Sequence, residues 1–215
     1  GVEELIDQIE ELRGTEKTER QKIKQVLYKA GKKQTQNNGM LAVYEPENYD
    51  YYIYKEDLTG IQKNPKEPKD GEMYVSPSFI TMYGVDIGDS VEIQIAGEEK
   101  QMRFTIRGFF EDPFAGSSMM GVKTMLINKA SMEELEQNAL MPGEGSTVAD
   151  AEMLHIFQKK DSGQKTKEFI KELNENTDLK NYTYRSYSKT TIEGYMLIAQ
   201  NIFVGFFLVF VTVLV

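Results

Sequence analysis

Apolar positions along the chain change their spacing several times, and each change marks an element. Residues 2–13 (VEELIDQIEELR) put Val2, Leu5, Ile6, Ile9 and Leu12 on one stripe, which predicts a helix. A second helix is expected over 16–30, with Ile23, Val26 and Leu27 apolar and Gly31 ending it. The polar run GKKQTQNNG behind it has no period and predicts a loop. Residues 41–44 and 49–54 (YDYYIY in the second) are aromatic and β-branched, as strands are. Residues 63–71 hold two prolines and no apolar side chain, so they predict a loop.

The centre is the most regular part. Residues 76–84 (SPSFITMYG) predict a short helix with Ser76 as N-cap, Pro77 at its first position and Gly84 as the left-handed terminator. Val91, Ile93 and Ile95 then alternate with polar residues, AGEEK reverses the chain, and Met102, Phe104 and Ile106 alternate in turn. That is a hairpin with one buried face. Strands are expected at 124–128, 153–158 and 182–187, and helices at 131–139 and 166–174. Strand, helix and strand in this order give an α+β class, a mixed two-subdomain fold with a strand-helix-strand layer and a hairpin-rich part.

The chain finishes on IFVGFFLVFVTVLV, fourteen residues from Ile202 to Val215 without a polar cap or basic flank. Spanning a bilayer takes roughly twenty apolar residues. The run is apolar on every face and tolerates Gly205 and Thr212 inside, so it predicts the start of a transmembrane helix. Its anchoring residues are then Ile202, Phe203, Phe206, Phe207, Leu208 and Phe210. The competing expectation is a buried core helix. Residues 190–197 read as a helical lead-in, a stalk joining folded domain to bilayer. The expected division is 1–39 as an N-terminal helical stalk or insertion, 40–189 as the main domain and 190–215 as stalk and membrane helix. No basic n-region, apolar h-region and cleavage site open the chain, so an exported protein of this sequence is expected to be either a fragment or exported by a membrane helix outside the sequence shown.

Charge narrows the partners. The net charge of −9 argues against nucleic acid. Residues 14–35 run the other way, with seven Lys/Arg against two Glu. A solvated surface explains that stretch, and a contact with anionic lipid or cell-wall polymer is the sharper alternative. Cysteine is absent, which removes disulfides, thiolate metal sites and a cysteine nucleophile. His155, the single histidine, sits inside an apolar strand and is expected to be a satisfied core or edge residue rather than a base or ligand. The pairs Asp86 with Asp89 and Glu111 with Asp112 fall in turn-like stretches, where carboxylates accept from backbone N–H groups. No P-loop, EF-hand loop, GxGxxG or GxSxG is present. No catalytic, cofactor-binding or metal-binding residue is assigned, and the chain is not expected to be an enzyme. The stretch 108–121 (GFFEDPFAGSSMMG) is unusually apolar for a loop. Either it tucks into the core, or Phe109, Phe110, Phe114, Met119 and Met120 form a pliable lip that touches a hydrophobic or peptidic substrate or a partner.

The segment DGEMYVSPSFITMYGVDIGDSVEIQIAGEEKQMRFTIRGFFEDP, residues 70–113, resembles the extracytoplasmic domain of ABC transporter permeases of the macrolide-exporter and FtsX-like type. The residues that carry the resemblance are Tyr74-Val75-Ser76, Gly84, Gly88-Asp89, Val91 and 104–110. The order of elements over 40–215 is similar to the loop between that family's first two transmembrane helices. The resemblance implies a bacterial cell-membrane permease with this chain on the extracytoplasmic side. It also implies a cytoplasmic ABC ATPase partner, a second permease copy and membrane lipid around the apolar run, with a peptide, lipid or drug-like substrate. A membrane-anchored extracellular sensor or adhesion domain without transport activity is the rival reading. A third is an intracellular protein with a buried terminal helix.

Overall fold

The computed structural model describes residues 1–49, 51–95, 100–111, 123–139 and 151–182. Its elements, in chain order, are α1 (Val2–Glu10), β1 (Thr15–Ala30), β2 (Lys33–Val43), β3 (Tyr52–Ile53), β4 (Glu72–Val75), α2 (Ser78–Tyr83), β5 (Ser90–Ile95) and β6 (Gln101–Glu111). They continue with β7 (Lys123–Ile127), α3 (Lys129–Ala139), β8 (Ala151–Gln158), α4 (Thr166–Asn176) and a 3₁₀ turn (Asp178–Asn181). The α+β class expected from sequence holds. The described residues group into two compact units, 1–22 with 152–182 and 23–139.

The larger unit is a closed barrel. Its pairings run β1–β2–β7–β4–β6–β5 and return to β1, because β1 pairs antiparallel with both β2 (Val26↔Gly39) and β5 (Val26↔Ile95). β2 pairs parallel with β7, and β4 parallel with β6, so the barrel is mixed. Closure removes the free edges that an open sheet would present. Val26, Tyr28, Leu41, Met73, Val75, Val91, Ile93, Phe104, Ile106, Met125 and Ile127 alternate inward along their strands and fill it. Phe79 of α2 stacks on Tyr28 with ring centroids 5.3 Å apart, and the Tyr28 and Tyr83 hydroxyls lie 2.7 Å from each other. Gly39 makes room for this ring, since a Cβ there would sit 2.9 Å from Tyr28. On the outer face, Ala42, Tyr44, Ile53, Tyr74, Phe110 and Leu126 form a second cluster with Tyr51 against it.

The expected helix at 16–30 and loop at 31–39 are corrected: both are strand. β1 and β2 form a long hairpin around a tight turn at Gly31, whose φ is 63°. The reason is burial on both faces. Ile23, opposite Ala42, packs outward while Val26, Tyr28 and Ala30 point inward, so Ile23, Val26 and Leu27 mimic helical spacing. An N-terminal helical segment over 1–39 is therefore reduced to α1. The strand over 49–54 is also shorter than expected, since only Tyr52–Ile53 pairs, with Tyr54 bridging Ile61.

The smaller unit joins the chain's first and last described segments. Leu5 and Ile9 of α1 bury against Phe169 and Leu173 of α4 and Leu179 of the 3₁₀ turn, with Leu154 and Ile156 of β8 alongside. β8 pairs with β1, and Lys159 donates to the Gly14 carbonyl at 2.7 Å. Gln8 and Asp178 exchange two hydrogen bonds, Gln8 Nε2 to Asp178 Oδ2 at 3.1 Å and Asp178 N to Gln8 Oε1 at 2.9 Å. Arg20 pairs with Glu3 and Glu152. The expected strand at 182–187, the stalk and the apolar run lie outside the described residues.

Candidate functional site

The resemblance segment folds as β4, α2, β5 and β6 of the barrel, and each of its pattern residues has a local task. Gly84 takes φ 64° and ψ 34° and stops α2 after one and a half turns, its N–H donating to Ile80. Pro77 stands at the helix N-cap position and Ser76 accepts from the Ser78 N–H at 3.3 Å, so the helix begins one residue later than expected. Asp89 Oδ2 accepts from the Asp86 N–H at 2.8 Å and Asp86 Oδ1 from the Ile87 N–H at 2.7 Å, with Gly88 at φ 92°. These carboxylates shape a turn, as expected of them. Gly88 and Asp89 then tie the turn to Ile106 by two backbone hydrogen bonds.

The apolar lip expected at 108–121 is only partly within the described residues. Of the two expectations for this stretch, the core one holds for Phe109 and Phe110, at 1% and 0% exposure, and the lip does not. They are consecutive on β6, so Phe109 enters the barrel and Phe110 the outer tyrosine cluster, where it meets Tyr51 edge-on at 6.4 Å. Phe114, Met119 and Met120 lie outside the described residues. So do Ile202, Phe203, Phe206, Phe207, Leu208 and Phe210. No helix among the described residues is long and apolar enough to cross a membrane.

The barrel end at which that stretch begins and finishes carries buried charge: Glu111, expected with Asp112 in a turn, is corrected to the buried end of a strand, Asp112 lies outside the described residues, and Lys123 is a residue that sequence reasoning missed. Glu111 closes β6 and Lys123 opens β7, at 1% and 4% exposure. The Tyr54 hydroxyl donates to Glu111 at 3.4 Å. Burial pushes the Lys123 ammonium down from its ordinary range, and the negative charge of Glu111 works against that shift. The parity of β7 offered a clue: Lys123 shares the inward face of Met125 and Ile127.

The remaining candidates are structural. His155 is buried in the smaller unit with Nε2 2.9 Å from Gln21 Oε1, and burial lowers its pKa to about 4, so it is neutral at pH 7. The basic stretch is laced with acids: Lys17 with Glu19 at 3.1 Å, Arg20 with Glu3 and Glu152, and Lys24 with Glu136 at 3.0 Å. A shallow polar cleft lies between Glu67, Lys69 and Asp70 on one side and Asn128, Lys129 and Glu133 on the other. Its charges alternate in sign and its best-ordered groups serve the fold. Asn128 caps α3 through the Ser131 N–H at 2.9 Å and donates to Asp70 at 2.6 Å. Among the described residues no group of His, Asp and Glu is placed to hold a metal ion.

Neither a family model nor a curated protein matches the chain. Solved structures do. One is the extracellular domain of the noncanonic ABC-type transporter YknZ from Gram-positive bacteria, at 11% identity and a TM-score of 0.39, covering 81% of this chain and 82% of that one. Another is a domain of a protein assigned as a permease from Porphyromonas gingivalis, at 15% identity and a TM-score of 0.38, covering 80% and 69%. The chain is thus similar, at a modest level, to the extracellular domain of one ABC-type transporter and to a domain of one permease.

Proposed function

We propose that this chain is an extracytoplasmic domain of a bacterial ABC transporter permease, anchored by the apolar run at 202–215. The observation that carries the reading is the resemblance segment itself, in which Gly84, Gly88-Asp89 and the β5–β6 hairpin each occupy the position that their pattern requires. The two similar structures are in keeping with it. In this reading ATP is hydrolysed by a separate cytoplasmic subunit and this chain has no catalytic residue of its own. A second permease copy, surrounding lipid and an exported or externally handled peptide, lipid or drug-like molecule complete the assembly.

The absence of cysteine makes a direct test available. Lys129 is 79% exposed, so K129C, expressed in its native gene context, reports the side of the membrane on which the domain sits. Labelling of intact spheroplasts by a membrane-impermeant maleimide is the expected result. Labelling only after lysis overturns the extracytoplasmic assignment. Co-isolation of an ATPase whose turnover responds to mutations in this domain separates a permease from a sensor or adhesion domain, which would be labelled but carry no ATPase.

A further inference from the structure

The β-barrel has one place where its backbone pairing stops short. β4 lies between β6 and β7, parallel to the first with Val75↔Phe109 and antiparallel to the second with Tyr74↔Leu126. It ends at Val75, and the chain turns through Ser76 and Pro77 into α2. Pro77 has no N–H with which to continue a ladder. Beyond that point β6 pairs with β3 through Ile53↔Phe110 and Tyr52↔Glu111, and among the described residues no strand pairs with both β6 and β7. Continuing both registers by two residues brings Glu111 from one side and Lys123 from the other level with Pro77. Neighbouring strands lie about 4.8 Å apart, so the two backbones are separated here by about 10 Å. A lysine and a glutamate side chain reaching toward each other cover that gap.

Both side chains have the parity for it. Glu111 follows Phe109 on the inward face of β6, and Lys123 precedes Met125 on the inward face of β7. Both are buried, and the charge of Glu111 acts favourably on Lys123. Buried opposite charges are costly to remove singly, because the survivor stays in low dielectric without its counter-charge. In some proteins such pairs specify one arrangement rather than add stability.

We infer that Glu111 and Lys123 form a buried charge clamp that takes over from β4 at this end of the barrel, holding β6 and β7 together where the strand between them departs. The clamp fixes the two points from which residues 112–122 leave and return. It is independent of the permease reading, since it concerns only how the barrel closes.

The test is a double-mutant cycle in the full 215-residue chain, using E111Q, K123Q and E111Q/K123Q. The readout is the amide exchange of residues 109–111 and 123–125, with β5 as an internal reference. Each single change is expected to raise local opening at both strand ends by more than tenfold while β5 is unaffected. The double variant should open no more than the worse single. Effects that multiply, or that stay on the mutated strand, overturn the clamp. Should the single variants fail to fold, folding of the double variant still supports it, and failure of the double variant overturns it.

Discussion

Glycines at two turns of the barrel show how different the same substitution can be at the level of one residue. Gly31 has φ 63°, and a Cβ there would run into the Tyr83 carbonyl oxygen, a backbone atom that cannot swing aside. Gly84 has φ 64° with open space around it. Gly31→Ala is therefore expected to cost roughly 2–4 kcal/mol, a left-handed penalty plus overpacking, and Gly84→Ala only about 1–2 kcal/mol. Urea unfolding of the two variants side by side checks the order. His155 sets a second expectation. Its pKa is about 4 when folded against an ordinary 6.5, so above pH 6.5 both states are neutral and it contributes nothing. As pH falls toward 4 the unfolded chain takes up a proton that the folded unit refuses, and stability drops by an amount on the order of 3 kcal/mol before levelling off. In the smaller unit, amide protection factors, referenced to the intrinsic exchange rate at each pH, should fall over that window in the parent chain and much less in H155L.

Elements differ in how openly the sequence announced them. The β5–β6 hairpin was legible because one face is buried and the other wet over most of its length, leaving a clean alternation. Helix α1 was legible for the equivalent reason at a period near 3.6. β1 was not, because Ile23 belongs to the outer face and Val26 to the inner, and Lys24 and Gln25 between them carry no signal of which partner strand awaits. Burial on two sides comes from neighbours distant in sequence, which local spacing does not encode. Phe109 and Phe110 left core and lip both open for the same reason: adjacent aromatics can both be buried only where the strand has a core on each face. Helix α3 yields a prediction at this scale. N128A removes the cap on Ser131 and the bond to Asp70, and should cost about 1–2 kcal/mol. N128D keeps the cap but sets a carboxylate beside Asp70, so it should recover only part of the loss, and more of it in a D70N background. Chemical denaturation of the three variants measures both effects.

On the scale of the whole chain, the division into two units bears on what a truncation does. Removing residues 1–14 deletes α1, whose Leu5 and Ile9 cover Phe169 and Leu173, and should leave the smaller unit open to exchange and proteolysis. The barrel draws on none of those residues, so its protection should persist. Loss of barrel protection in the same truncation would show that the units fold as one. The expected boundary at residue 39 falls inside β2, and local spacing does not encode how the two ends of the chain segment are brought together.

The smaller unit is built from residues on either side of the barrel segment in the chain, 1–22 and 152–182. A tension applied between its outer ends, at residue 1 and residue 182, is carried first by the side-chain contacts of α1 with α4 and the 3₁₀ turn. While they hold, the load is shunted past residues 23–151 altogether. The smaller unit then acts as a mechanical fuse, and the barrel feels a pull only after that fuse has parted.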